Sequence, residues 1–225
     1  MLFRSSARTG DFAVSGAPDG FAVTFAPGGG LERWAGLSVP TPALYQVTNA
    51  ALAVAAVRML LGGLDEAAAR RALAGTAVPG RLQVVGERPL LLADGAHNPD
   101  GVRVLAQSLA AVRVPRPVVG VVAIMRDKDY PAMIAGLLPL LDRIVCTQAS
   151  EPRTLTAVEL AEVVATVAAG PAAVQPALTV PVESVSDPHA AVTRARDLAG
   201  PGGCVLIGGS LYLLEDLQDV LAGQG

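Results

Sequence analysis

The 225-residue sequence is short of charge, and of lysine above all. Only 16% of its residues are charged and the net charge is −3, with no basic stripe, which argues against a dedicated nucleic-acid binder. No uninterrupted apolar run reaches the length needed to cross a bilayer, so no membrane partner is expected. The opening MLFRSSARTGDFAV lacks the apolar middle of a signal peptide. The two cysteines, Cys146 in RIVCT and Cys204 in GGCVLIGG, sit in apolar runs, and with two histidines at unrelated spacings they make no zinc site. Buried thiols in a reducing compartment are the simplest reading, which points to a cytoplasmic soluble protein. Lys128, in RDKDY, is the only lysine; the other sixteen of the 17 lysine and arginine residues are arginines. Chemistry that needs a lysine must use this one or borrow one from elsewhere.

What is present is apolar. Hydrophobic residues make up 52% of the chain, enough for a sizeable core. Residues 1–40 hold short alternating segments, DFAVSG, GFAVTFA and LERWAGLSV, separated by Gly and Pro, and these read as strands of a hairpin or meander. TPALYQVTNAALAVAAVRMLLGG and LDEAAARRALAG read as helices. TAVPGRLQVV, with Pro79 and Gly80, reads as the boundary between two lobes. From residue 82 onward apolar runs (LQVVG, PLLLA, PVVGVVAI, RIVCT, ALTVPV, CVLIGG) alternate with helical stretches, and LYLLEDLQDVLAG closes the chain. That pattern predicts an α/β domain: an open, doubly wound, mostly parallel sheet covered on both faces.

In a parallel sheet the loops leaving the C-terminal strand ends share one rim, and ligands bind along it. DGAHNPD, MRDKDY, TQASEPRT and GGSLY all fall on that rim, so the unusual polar residues of this half gather at one edge. In DGAHNPD, helix capping explains Asn98, Pro99 and Asp100, but leaves Asp94 and His97 without a reason. An acid that ends a buried strand is costly unless it binds something, and an imidazole in the next turn can serve the same site. Arg81 in PGRL is either a solvated arginine or a planar cation for a phosphate or base. Asn49 is a poor helix former in an Ala-rich helix, so it either caps after YQVT or contacts a ligand. Ser210 in GGSLY either caps a helix or helps to present N–H groups to an anion. RDKD reads as a solvated charged turn that nonetheless lies on the ligand rim.

YQVTNAALA, PGRLQVV, LLLADGAHNP, GVVAIMRDKD and GGSLY, in this order and spacing, resemble the folylpolyglutamate synthase/dihydrofolate synthase family of the Mur ligase superfamily over nearly the whole chain. DGAHNP with GSLY resembles the folate branch more than the cell-wall branch. The resemblance implies that residues 1–78 are the β-rich and helical tail of a central ATPase domain. Residues 79–225 are then a complete Rossmann-like C-terminal, glutamate ligase domain. It implies an ATP-dependent, Mg2+-assisted ligase. A carboxylate of dihydropteroate or a folate attacks the γ-phosphate to give an acyl phosphate, and the amine of L-glutamate displaces phosphate. By matched position Asn49, Arg81 and Asp94 are ATP contacts: Asp94 at the ribose hydroxyls or adjoining nucleotide edge, Arg81 near the phosphates. His97 and Ser210 position the glutamate, with His97 the catalytic candidate. Lys128 matches a family residue to which no role is assigned.

The family's G-x-x-x-x-G-K-[ST] loop, which cradles the phosphates, has no counterpart in this sequence. The carboxylates and modified lysine that hold the family's magnesium would lie with that loop, so no metal ligand is expected among these residues. Phosphoryl transfer depends on the loop and the metal for most of its positioning and charge neutralisation. The chain alone is therefore expected to be incompetent as a ligase, as a truncated product or as one partner of a separate P-loop-containing polypeptide. Its helix NAALAVAAVRML would then expose apolar surface. A non-catalytic relic that binds a nucleotide or a protein, and a fragment of a cell-wall Mur ligase, are the alternatives.

Overall fold

A computed structural model describes residues 33–170 and 180–222 throughout, and of the earlier residues the backbones of three strands and of Glu32. Contacts divide the chain into two units, Met1–Val78 and Pro79–Gly225.

The first unit begins with an antiparallel sheet in the order β1 (Leu2–Phe3), β2 (Phe12–Ala17), β3 (Gly20–Phe25) and β4 (Glu32–Leu37). Two helices follow, α1 (Leu44–Leu61) and α2 (Glu66–Gly75). Gly62 ends α1 in the left-handed conformation at φ 68°, the usual role of glycine at a helix C-terminus. The Asp65 side chain starts α2 by accepting from the Ala68 N–H at 2.7 Å. Trp34, Leu37, Ala51, Val54 and Ala69 form the core. The Arg70 guanidinium, paired with Glu66, ties α2 to the Gly36 and Ala35 carbonyls.

One of the two readings of Asn49 is removed in α1. Asn49 does not cap it. The helix starts at Leu44 with Ala43 as the capping position, and Asn49, exposed and inside the helix, donates from Nδ2 to Gln46 Oε1 at 2.6 Å. The expectation about bilayer crossing concerns uninterrupted apolar runs, and α1 contains polar residues. α1 has 18 residues and is long and apolar enough by length and composition alone. Gln46, Thr48, Asn49 and Arg58 interrupt its apolar run, which is why an uninterrupted-run criterion passes over it.

The second unit is a six-stranded sheet in the order β5 (Gln83–Glu87), β6 (Leu90–Asp94), β10 (Cys204–Gly208), β7 (Val118–Val122), β8 (Arg143–Cys146) and β9 (Val182–Ser184). β5 is antiparallel to β6, and every other pairing is parallel. The helices between strands are α3 (Pro99–Val112), α4 (Tyr130–Leu137), α5 (Ala157–Ala169) and α6 (Pro188–Ala199). The expected closing helix is broken at Leu217 into α7 (Leu211–Asp216) and α8 (Gln218–Leu221); the Leu217 side chain is fully buried at the break. α6 and α7 pack on one face, where Leu91, Val119, Val121, Val145, Val205 and Ile207 meet Ala195 and Leu213. α3, α4 and α5 neighbour one another in turn. All five residues of β7 and of β10 are buried, as a strand covered on both faces requires. Burial pushes the Cys146 thiol up to about 12 and that of Cys204 to about 11, and both are free. Such thiols are inert. Of ALTVPV, residues 177–179 lie outside the described residues and Val182 begins β9. PVVGVVAI stops being strand at Val122, because the chain leaves the sheet there.

Register fixes the rim. Asp94 pairs with Gly208, Gly208 with Val122, Val122 with Cys146 and Cys146 with Ser184. The parallel strands therefore end abreast, and their outgoing loops start from one line.

Candidate functional site

The turn after β6 is built around Asp94, which is 2% exposed. Its Oδ2 accepts from the Leu82 N–H at 2.8 Å and its Oδ1 from the Ala96 N–H at 2.8 Å. The acid thus clamps the PGRL turn to the DGAHNP turn, and a second bond, Gly95 N–H to the Gly80 carbonyl at 2.7 Å, runs beside it. Gly80 at φ 66° and Leu82 at φ 46° place Arg81, half-buried, between two left-handed residues. A carboxylate has about four acceptor sites, so the clamp by itself does not exclude a nucleotide contact.

His97 follows at the mouth of the turn. Its Nδ1 lies 2.8 Å from the Gly95 carbonyl oxygen. A carbonyl only accepts, so Nδ1 carries the hydrogen and the neutral ring keeps its lone pair on Nε2. Asn98 then caps α3 by accepting from the Gly101 N–H at 2.7 Å, with Pro99 in the first turn. Ser210, 1% exposed, caps α7 by accepting from the Tyr212 N–H at 3.1 Å. Gly209, at φ 95°, makes the approach possible: a Cβ there would lie 2.5 Å from the Ala123 carbonyl oxygen.

The loops after β7 and β8 are zipped together. Arg126 N–H donates to the Arg153 carbonyl at 2.8 Å, Leu155 N–H to the Ile124 carbonyl at 3.0 Å, and Met125 and Thr154 form an isolated bridge. Arg126 also bonds Glu159 of α5 at 2.7 Å. That guanidinium, with the Thr156 N–H, holds the Glu159 carboxyl down at about 2. The β8 loop is tied to α7 in turn, since Ser150 donates through both N–H and Oγ to Asp216.

These loops enclose a cleft of about 260 Å³ lined by His97, Asp127, Lys128, Arg153, Ser210 and Tyr212, among others. Lys128 Nζ lies 3.2 Å from Asp127 Oδ2 and holds that carboxyl below its ordinary range, with Arg153 adding to the effect. Of the residues picked from sequence, the structure brings His97, Ser210 and Lys128 into one cleft. It places Asp94 and Arg81 in the adjoining turn, and Asn49 in the other unit. Asp127, Arg153 and Tyr212 were not picked. All three lie on loops that the rim argument had already singled out, so applying it residue by residue would have found them. A cleft with two cations, an imidazole lone pair and a hydroxyl suits a small anionic molecule that carries a transferable proton.

Residues 80–211, more than half of the chain, match the family model described as Mur ligase, glutamate ligase domain. The chain belongs to the Mur ligase family. That family is one of ATP-dependent ligases, and this Mur ligase chain matches the C-terminal part of its folate-branch members. It is 35% identical over 176 residues to the dihydrofolate synthase/folylpolyglutamate synthase of Mycobacterium tuberculosis, covering 72% of this chain and 36% of that relative. The structure resembles that of Mycobacterium tuberculosis folylpolyglutamate synthase complexed with ADP and AMPPCP, with a TM-score of 0.80 and 28% identity over 95% of this chain and 48% of that one. It also resembles E. coli FolC in complex with DHPP and ADP, with a TM-score of 0.78 and 27% identity over 96% of this chain and 47% of that one. The chain thus spans between a third and a half of the length of these relatives.

Proposed function

We propose that the chain is the glutamate-ligase part of an ATP-dependent folate-branch ligase, and that its rim cleft holds the incoming L-glutamate. The observation that carries this is the convergence of His97, Lys128 and Ser210 on one cleft beside the Asp94–Arg81 turn, inside the segment that matches a glutamate ligase domain. In this reading residues 1–78 are the tail of the central ATPase domain and residues 79–225 the C-terminal domain. Asn49, Arg81 and Asp94 contact ATP, with Arg81 toward the phosphates, where its planar fork suits phosphate oxygens. The carboxylate of a dihydropteroate or folate is activated as an acyl phosphate. His97 Nε2 takes a proton from the glutamate amine as it attacks, while Gly95 holds the ring through Nδ1. The Ser210 hydroxyl, fixed by the Tyr212 N–H, donates to a substrate oxygen. Magnesium is implied by the family, but among the described residues no group of three or more His, Cys, Asp or Glu is placed to hold an ion. A cytoplasmic setting belongs to the same reading.

The test is a phosphate-release assay with ATP, dihydropteroate or a folate, and L-glutamate. The chain alone is expected to give no turnover, and a polypeptide carrying a phosphate-binding loop added in trans is expected to restore it. Robust turnover by the chain alone would contradict the claim that the loop is indispensable. Tighter calorimetric binding of an amino-sugar peptide than of folate would instead favour the cell-wall branch.

A further inference from the structure

One side chain ties the PGRL turn to the last helix of the fold. Gln83, half-buried at the first position of β5, uses both halves of its amide. Its Oε1 accepts from the Gly80 N–H at 3.0 Å, and its Nε2 donates to the Leu221 carbonyl at 3.2 Å, across 138 residues of chain. A backbone N–H only donates and a carbonyl only accepts, so the amide has one orientation. An ionised carboxylate or a cation at that position would satisfy only one of the two partners. Leu221 ends α8, where carbonyls lack partners within the helix, and Gln83 supplies one. α8 is itself anchored: Val220 and Leu221 pack on the core, and Asp219 lies 3.0 Å from Nε2 of His189 in α6.

The closing segment also presses directly on the turn. A Cβ on Gly80 would lie 2.8 Å from Leu214 Cδ1, and one on Gly95 would meet Leu211 Cδ2, so α7 runs against both turns before α8 reaches Gln83. Arg81 therefore stands between two residues that are held by different side chains. Asp94 takes the Leu82 N–H and Gln83 takes the Gly80 N–H. Both neighbours have positive φ, 66° at Gly80 and 46° at Leu82. A left-handed leucine is costly and persists only where its surroundings hold it.

We infer that Gln83 is a positioning residue: it clips the turn that presents Arg81 to the α7–α8 segment, and so fixes that guanidinium for its contact with a nucleotide phosphate. Gln83 touches no ligand itself and acts through Gly80. This rests on the proposed reading of Arg81 as a phosphate contact and adds to it the residue that sets where the cation stands. Without the clip a smaller fraction of chains holds Arg81 in place, and apparent nucleotide affinity falls with that fraction.

The experiment is amide hydrogen exchange and an NMR titration with ADP on the full chain, in the wild type and in Gln83→Ala, Gln83→Glu, Arg81→Ala and Gln218→Ala. The last removes an exposed amide from α8 and is the control. In Gln83→Ala the Gly80 amide is expected to exchange about five-fold faster or more relative to the Leu206 amide in the centre of the sheet, which separates local loosening from lost global stability. ADP affinity should fall by about three-fold or more in the same variant. Gln83→Glu keeps the acceptor for Gly80 and loses the donor to Leu221, and should lie between the wild type and Gln83→Ala in both readings. Gln218→Ala should match the wild type. Unchanged relative exchange at Gly80, or unchanged ADP affinity, in Gln83→Ala overturns the inference; if Arg81→Ala weakens ADP in the same series, the nucleotide reading of Arg81 stands. A wild-type chain that binds no ADP, or an Arg81→Ala chain that binds it as well as the wild type, refutes that reading and the inference together.

Discussion

The two units use apolar residues in opposite ways. In the second, β7 and β10 are buried at every position, with helices against the sheet. In the first, the 18-residue α1 buries only Ala50, Ala51, Val54 and Ala55, while Met59, Leu60 and Leu61 are 77%, 84% and 66% exposed. An apolar groove of about 290 Å³ opens between α1 and α2, lined by Ala53, Val57, Leu64, Ala69 and Leu73, among others. Hydrophobic content therefore does not measure core. Stabilisation follows area removed from water, and the second unit removes far more per apolar residue than α1 does.

The sharpest way to break this contrast is a pair of truncations read by urea denaturation. Ile207→Ala, at a fully buried position in the centre of the larger sheet, should cost about 2–5 kcal/mol. Leu60→Ala should cost less than about 0.5 kcal/mol, as exposed substitutions do. Similar losses at the two positions would mean that the α1 face is covered in solution and the contrast is false. A smaller effect is expected at the rim. Asp94→Ala leaves the Leu82 and Ala96 N–H groups without their carboxylate acceptors in a buried turn, which should cost about 2–3 kcal/mol in the same measurement. Asp94→Asn keeps one of the two acceptor oxygens and sets an NH2 group against the other N–H, so it should recover at most part of that loss. A neutral Asp94→Ala would show that the clamp contributes nothing to the fold.

The second unit was legible because its four central strands are almost entirely buried. LLLAD, VVGVV and CVLIG are continuous apolar runs, and period and punctuation place them. The rim was legible for the same reason, since parallel strands commit their outgoing loops to one side. What stayed hidden is set by contacts between distant segments. The clamp role of Asp94 was hidden because its backbone partner at Leu82 is twelve residues away and depends on an unexpected left-handed Leu82. Arg153 looked like one arginine among sixteen until the bridge between Met125 and Thr154 brought its loop to Lys128. A capping role for Asn49 stayed open because the helix start at Leu44 has no side-chain cap to announce it.

The central claim is that one edge of the larger sheet, the line on which Asp94, Gly208, Val122 and Cys146 end abreast, is the ligand edge. Backbone amide shifts of the full chain, followed by NMR during titration with L-glutamate, test it most directly. The account predicts shifts concentrated at residues 95–97, 125–128, 150–153 and 209–212. Shifts centred on residues 113–116 and 200–203, where the strands begin, would contradict it.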